Sequence, residues 1–129
     1  MEFKQIKETC IYAEDLEAVR LFYCEKLGLP LISYLREKHL FISVGNSVLL
    51  CFNPQDSQLK KSPPGHYAKG KIHFAFEVDA ADYGKTKQEI IEKGITITDE
   101  VTWKNGQQSF YFEDPAGNVL EVVPIGIWE

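Results

Sequence analysis

The chain has 129 residues, of which 44% are hydrophobic and 26% are charged. This length and balance favour one compact domain, or two small halves with a common core, and exclude disordered and fibrous proteins. The net charge of −5, without any basic stripe, argues against nucleic-acid binding, which needs clustered positive charge. The apolar runs are a few residues long and fall short of the roughly 20 that span a bilayer.

The start of the chain and its cysteines point to a reducing compartment. Charged residues such as Glu2 and Lys4 interrupt the first residues, so no secretory signal is predicted. The three cysteines are Cys10, Cys24 and Cys51, an odd number at wide spacings that fits neither a disulfide framework nor a zinc knuckle. We therefore expect reduced, mostly buried thiols in a cytoplasmic protein.

The first half of the chain, residues 1–53, is predicted to fold as a strand, a helix and three further strands. Asp15 is expected to cap the helix, whose apolar face begins at Leu16, and Gly28 is expected to end it. Gly45 and Asn46 are typical of a tight turn between the last two strands. The predicted strands cover Gln5 to Tyr12, Leu31 to Leu35, His39 to Val44 and Ser47 to Phe52.

The second half, residues 71–129, repeats this order after a proline- and glycine-rich linker loop at 54–70. Asp79 or Asp82 is expected to cap the second helix, and Gly94 to end it. The predicted strands cover Lys71 to Val78, Thr96 to Val101, Gln107 to Glu113 and Asn118 to Pro124. Two such βαβββ modules predict an α+β fold in which they form a half-open mixed β-barrel with a central cleft.

Three segments in this order resemble the vicinal oxygen chelate superfamily, which includes glyoxalases, bleomycin-resistance proteins and extradiol dioxygenases. They are Asp15–Tyr23 with Leu27–Leu29, Ile72–Val78 and Phe110–Val123. The resemblance covers essentially the whole chain and implies the same fold, although a fold alone does not determine a reaction. It also implies a homodimer, because members of the family commonly pair two chains.

The resemblance implies metal ligands on the first and last strands of each half. These positions hold Glu8, where a histidine is usual, then His73 and Glu121, while the fourth falls at Leu49 or Leu50, which cannot bind metal. One imidazole and two carboxylates suit a divalent ion such as Mn, Fe, Zn, Ni or Mg. Carboxylates in an apolar cleft also need a compensating cation or proton.

Simpler interpretations of the same residues exist. A shift of one residue in the strand register would turn Glu8 toward solvent, because side chains alternate along a strand. His73 could be an ordinary cleft histidine bonded to a neighbour.

Four further residues are candidates for contact with a substrate. Trp103 either walls the pocket or plugs a sheet edge, and Tyr111 alternates with its neighbour across a strand, so that one of the two faces the cleft. Cys51 either lines the cavity or is a buried structural thiol. His66 either closes over the cleft as part of a lid or is simply solvated.

Two functions follow as hypotheses. The first is a divalent-metal-dependent enzyme, a lyase, isomerase or related type, acting on a small substrate that chelates through adjacent oxygens, with Glu8 and Glu121 as catalytic carboxylates. The alternative is a non-enzymatic, small-molecule or drug-sequestering protein of the bleomycin-resistance type, whose acidic character suits a cationic ligand. The first is favoured, because a sequestering protein has no need of the pair formed by His73 and Glu121.

Overall fold

The computed structural model describes residues 1–129 and contains two four-stranded mixed sheets, neither closed on itself. In the first sheet the strands lie in the order β1-β4-β3-β2, and in the second in the order β5-β8-β7-β6. The chain divides into two compact units, Met1–Gly70 and Lys71–Glu129. The predicted α+β class is confirmed, and the two sheets have equivalent connectivity, with a parallel pair at one edge of each, β1 with β4 and β5 with β8.

The first unit has four strands and two short helices. Its strands are β1 (Glu8–Tyr12), β2 (Leu31–Leu35), β3 (His39–Val44) and β4 (Ser47–Phe52). Helix α1 (Leu16–Arg20) continues as a π-helical segment over Leu21–Lys26, and helix α2 (Pro54–Ser57) follows β4. The Asp15 side chain accepts a hydrogen bond from the Ala18 backbone at 3.1 Å, as expected of a helix cap.

The buried face of the first sheet follows from strand alternation. Ile11, Cys51 and Leu40 occupy one register row, and all three are fully buried. Helix α1 contacts β3, and its apolar residues Leu16 and Val19 are equally buried. This row and this helix therefore form the core of the unit. Glu8 and every second residue after it on β1 point to the opposite face of the sheet.

The second unit repeats the arrangement with a longer helix. Its strands are β5 (His73–Val78), β6 (Asp99–Thr102), β7 (Gln108–Glu113) and β8 (Val119–Pro124). A 3-10 turn over Ala80–Asp82 leads into helix α3 (Tyr83–Glu92). The Tyr83 ring packs 5.4 Å from the Phe110 ring, centroid to centroid, on the face of the sheet that also buries Phe112 and Leu120. The other face of this sheet is thereby left open for a site.

Several predicted boundaries need correction. The first strand begins at Glu8 instead of Gln5, and β6 runs over Asp99–Thr102 instead of from Thr96. The 54–70 segment is not only a loop, because it begins with α2, which Asn53 caps through Gln55 N at 3.1 Å. Neither Asp79 nor Asp82 makes a side-chain cap, since the 3-10 turn enters α3 without one.

A tyrosine, a glutamate and a cation join the helix to the edge strand in both units. In the first unit Glu17 accepts from Arg20 at 2.6 Å and from Tyr34, on β2, at 2.6 Å. In the second the roles are exchanged between the elements: Glu100, on β6, accepts from Tyr83 and from Lys87 of α3, each at 2.8 Å. In each unit these hydrogen bonds hold the helix against the edge strand, on the face of the sheet that it already covers. The other face of the sheet stays open.

Candidate active site

His73 and Glu121 lie side by side on the open face of the second sheet. His73 starts β5, and Glu121 is in the middle of β8, where Ala75 is its register partner. The His73 Nε2 atom lies 3.3 Å from Glu121 Oε1, and the two side chains are 52% and 10% exposed. A half-exposed imidazole over a nearly buried carboxylate is accessible to a ligand that approaches from the open face.

The hydrogen bonding of His73 determines which of its nitrogens carries the proton. Its Nδ1 atom is 2.9 Å from the carbonyl oxygen of Val119, which can only accept, so Nδ1 must donate. In the neutral imidazole the Nε2 lone pair then faces the Glu121 carboxylate, which also accepts. Two acceptors at this distance need a proton or a cation between them. A backbone carbonyl that orients a histidine in this way is also typical of metal-binding histidines.

A chain of hydroxyl and indole donors leads to Glu121 from the neighbouring strand. Tyr111 is the register partner of Glu121 on β7, and Trp103 Nε1 donates to Ser109 Oγ at 2.9 Å. Burial and a hydrogen bond to Glu121 raise the pKa of Tyr111, while its bond with Ser109 opposes this shift. Tyr111 is therefore a neutral phenol that donates toward the carboxylate.

His73, Glu121 and Tyr111 border a cleft of about 350 Å³ that is lined by residues of the second unit. No lysine or arginine is among its lining residues, which are His73, Ala75, Trp103, Tyr111, Glu121, Val123, Ile127 and Trp128. The volume is in the range of small-molecule sites, and the mixture of apolar walls with a few convergent polar groups is typical of them.

The other predicted site residues lie in the first unit. Glu8 is exposed at the start of β1, and the structure assembles no group of three or more histidine, cysteine, aspartate or glutamate side chains suited to a metal ion. Cys51 was a candidate either for the cavity lining or for a buried structural thiol, and its register row places it in the core between the sheet and α1, where it is fully buried. No disulfide joins the three cysteines, and the expectation of mostly buried thiols holds for Cys51 alone, since Cys10 and Cys24 are only partly buried.

His66 is held at the surface of the first unit. Its Nδ1 atom is 2.7 Å from the Tyr12 hydroxyl, its carbonyl accepts from Ser57 Oγ at 2.6 Å, and its ring lies 4.6 Å from that of Phe52. The segment around it is therefore anchored to β1, β4 and α2 of its own unit.

The register of the two sheets shows which positions are equivalent. Glu8 pairs with Val48 as His73 pairs with Val119, so Glu8 has the place in the first unit that His73 has in the second. Glu121 lies two residues after Val119, and Leu50 lies two residues after Val48, so Leu50 is the equivalent of Glu121. The sequence left Leu49 and Leu50 open for this position. The structure selects Leu50, because the side chain of Leu49 points to the other face of the sheet.

Sequence reasoning missed two contributors to this site. Ser109 is completely buried yet polar, and its position two residues before Tyr111 on β7 is the signal that it faces the same way. The structure also places Trp128 in the lining of the cleft, and nothing in its local sequence indicates that position.

Comparisons with known proteins identify the family. The family model for the Glyoxalase/Bleomycin resistance protein/Dioxygenase superfamily matches residues 5–122, and the chain belongs to this superfamily. Among solved structures, a lactoylglutathione lyase from Agrobacterium tumefaciens is 34% identical with a TM-score of 0.94, over 99% of this chain and 98% of that one. No curated protein matches the chain.

Two further structures are more distant. A glyoxalase family protein from Enterococcus faecalis is 28% identical with a TM-score of 0.71, over 95% of this chain and 99% of that one. An integron cassette protein from V. cholerae is 21% identical with a TM-score of 0.75, over 98% of both chains, and shows similarity of fold alone. The recognition made from the sequence is confirmed.

Proposed function

We propose that this protein is a divalent-metal-dependent enzyme, of lyase or isomerase type, that acts on a small substrate chelating through adjacent oxygens. The observation that carries the proposal is the pair formed by His73 Nε2 and Glu121 Oε1, two acceptors 3.3 Å apart in the lining of a cleft. The similarity to a lactoylglutathione lyase supports a lyase or a related reaction.

Each residue of the proposed site has a distinct role. His73, oriented by the Val119 carbonyl, and Glu121 are the proposed ligands, and Glu8 is the proposed third ligand because it is the register equivalent of His73. A bound divalent ion would supply positive charge beside the substrate oxygens as they gain negative charge. Glu121 and Glu8 are the proposed catalytic carboxylates, which take up and return the substrate proton, and the Tyr111 phenol orients Glu121.

Metal binding is the direct test. Protein purified without chelators and without a metal-binding tag is dialysed against Mn, Fe(II), Zn, Ni and Mg salts, and its metal content is measured. We expect about one ion per chain in the wild type, and binding weakened by at least about tenfold in His73→Ala and Glu121→Gln. Glu8→Gln tests the third ligand separately. The matched control is Glu77→Gln, since Glu77 is an exposed glutamate on β5 of the same parity as His73 but outside the cleft lining.

The absence of any bound ion in the wild type, or equal binding in all four variants, would contradict the proposal. The alternative of a non-enzymatic binding protein would then be favoured. Two observations support that alternative: no group of three metal-binding side chains is assembled, and the cleft carries a carboxylate without a lysine or arginine beside it. A cationic ligand would suit such a cleft.

Two further proposals concern assembly and location. Phe3 and Ile6 are 83% and 82% exposed, and covering such apolar side chains would favour a homodimer. Light scattering tests this at low and high protein concentration. No helix is long and apolar enough to cross a membrane. The proposed cytoplasmic location rests on the sequence and is tested by fractionation of the source cells.

A further inference from the structure

Both tryptophans of the chain border the cleft that holds His73 and Glu121. Trp103 belongs to the turn between β6 and β7, and Trp128 belongs to the segment that follows β8. Their side chains are 43% and 95% exposed, respectively. Exposed indoles are large apolar surfaces in contact with water, so that a ligand able to cover them gains free energy.

Hydrogen bonds join the two segments that carry the indole walls, Trp103 and Trp128. Trp103 Nε1 donates to the buried Ser109, which holds this indole in place. Asn105, in the same turn as Trp103, donates through Nδ2 to the Ile127 carbonyl at 3.3 Å. The segment that carries Trp128 is thus tied to the turn that carries Trp103.

The charges of the lining restrict what can lie against these walls. Its ionisable side chains are those of His73, Glu121 and Tyr111, with no lysine or arginine to pair with an anionic group. An anionic group that binds against these side chains would lose water without gaining a cationic partner from the lining. An aromatic ring loses little on transfer and stacks on indole. When the proposed ion compensates Glu121, the lining keeps no unpaired charge for a cation or an anion, and it therefore favours an uncharged, flat group in this part of the cleft.

We propose that the substrate carries an uncharged aromatic group that contacts both indole walls, while its two neighbouring oxygens lie at the ion that His73 and Glu121 would hold. The inference rests on the proposed function for the oxygen-binding end only. It makes Trp128 a specificity-determining residue, supplied by the last residues of the chain.

Two neutral probes isolate the aromatic group. Mandelamide and lactamide have the same adjacent hydroxyl and amide oxygens, but mandelamide carries a phenyl group where lactamide has a methyl group. Quenching of tryptophan fluorescence reports binding directly, because both indoles of the protein border the cleft. With Zn-loaded wild type we expect mandelamide to bind at least about tenfold more tightly than lactamide.

Variants then assign this preference to a residue. Trp128→Ala should reduce the mandelamide preference by about fivefold or more, whereas Trp128→Phe should retain most of it, because the ring is kept. The matched control is Ile91→Ala, since Ile91 is a 45% exposed apolar residue on α3, outside the cleft. Thermal unfolding of each variant checks that it is folded.

Metal content measured on the same samples separates this inference from the proposed function. If Zn binds but the two probes bind equally, or Trp128→Ala keeps the full preference, the inference fails and the proposed function stands. If no metal binds, the proposed function fails. A preference for mandelamide that depends on Trp128 then still supports the indole walls, as part of a binding protein.

Discussion

Asn118 holds together the turn between β7 and β8 through two side-chain hydrogen bonds. The residue is 1% exposed; its Oδ1 atom accepts from Ile72 N at 3.1 Å, and its Nδ2 atom donates to Asp114 Oδ2 at 2.9 Å. Ile72 directly precedes His73. Replacement of Asn118 by alanine therefore loosens the turn and the end of β5 that carries the proposed metal ligand.

The magnitude follows from the two lost bonds. The bond to the Asp114 carboxyl is worth about 1.5–3 kcal/mol, and the bond from the Ile72 amide about 1 kcal/mol. We therefore expect Asn118→Ala to lower the free energy of unfolding by about 3 kcal/mol. With an unfolding entropy of roughly 2.1 cal/mol/K per residue, this is a fall of about 11 °C in the Tm of a chain of this length.

Urea unfolding and calorimetry of Asn118→Ala and Asn46→Ala test this reasoning. Asn46 follows the turn glycine Gly45 in the first unit as Asn118 follows Gly117 in the second, yet its side chain is exposed. Its replacement should change the free energy of unfolding by less than about 0.5 kcal/mol. Equal losses in the two variants, or a loss under about 1 kcal/mol in Asn118→Ala, would refute the assignment of stability to these bonds.

Three further predictions concern stability. Hydrogen bonds from Arg20 and Tyr34 lower the pKa of Glu17 from 4.5 to about 2. Their contribution to the free energy of unfolding is therefore present above about pH 4.5 and is lost as the pH falls toward 2. Tyr34→Phe should make the urea midpoint less sensitive to pH in this window. Gly84→Ala, in α3 with no atom within 4 Å of the added Cβ, should raise the free energy of unfolding by about 0.5 kcal/mol. Gly65→Ala should lower it by about 1–3 kcal/mol, because the new Cβ would lie 2.7 Å from the Lys60 carbonyl oxygen.

Each of these has a clear contrary result. An unchanged acid slope in Tyr34→Phe would mean that the tyrosine does not help to keep Glu17 ionised. A destabilised Gly84→Ala variant would show that the start of α3 does not tolerate a side chain. Full stability of Gly65→Ala would show that the 54–70 segment moves freely enough to accept a Cβ.

Local signals in the sequence were sufficient for the order of elements. The strands at Leu31–Leu35, His39–Val44 and Ser47–Phe52 coincide with their predicted ranges, because alternation and the turn at Gly45 and Asn46 are encoded within a few residues. The Asp15 cap is equally local. Three segments of the sequence also sufficed to recognise the family, and the resemblance implied His73 and Glu121, which the structure brings within 3.3 Å.

Long-range pairing decided what the sequence left open. The register between β1 and β4, which are far apart in the chain, determines whether Leu49 or Leu50 matches Glu121. It also places Cys51 in the core. The protonated nitrogen of His73 depends on a carbonyl 46 residues away, at Val119. Hydrogen bonds between strands set these features, and no local preference encodes their register.

The walls of the cleft were likewise only partly predictable from the sequence. Trp103 was a candidate from its place at a strand end. Its hydrogen bond to Ser109 depends on the fold of the β6–β7 turn, and the position of Trp128 depends on the segment after β8. Composition and periodicity report which residues are apolar and on which face they lie. Only the tertiary structure brings two distant indoles to the same carboxylate, because that proximity is a property of packing between elements.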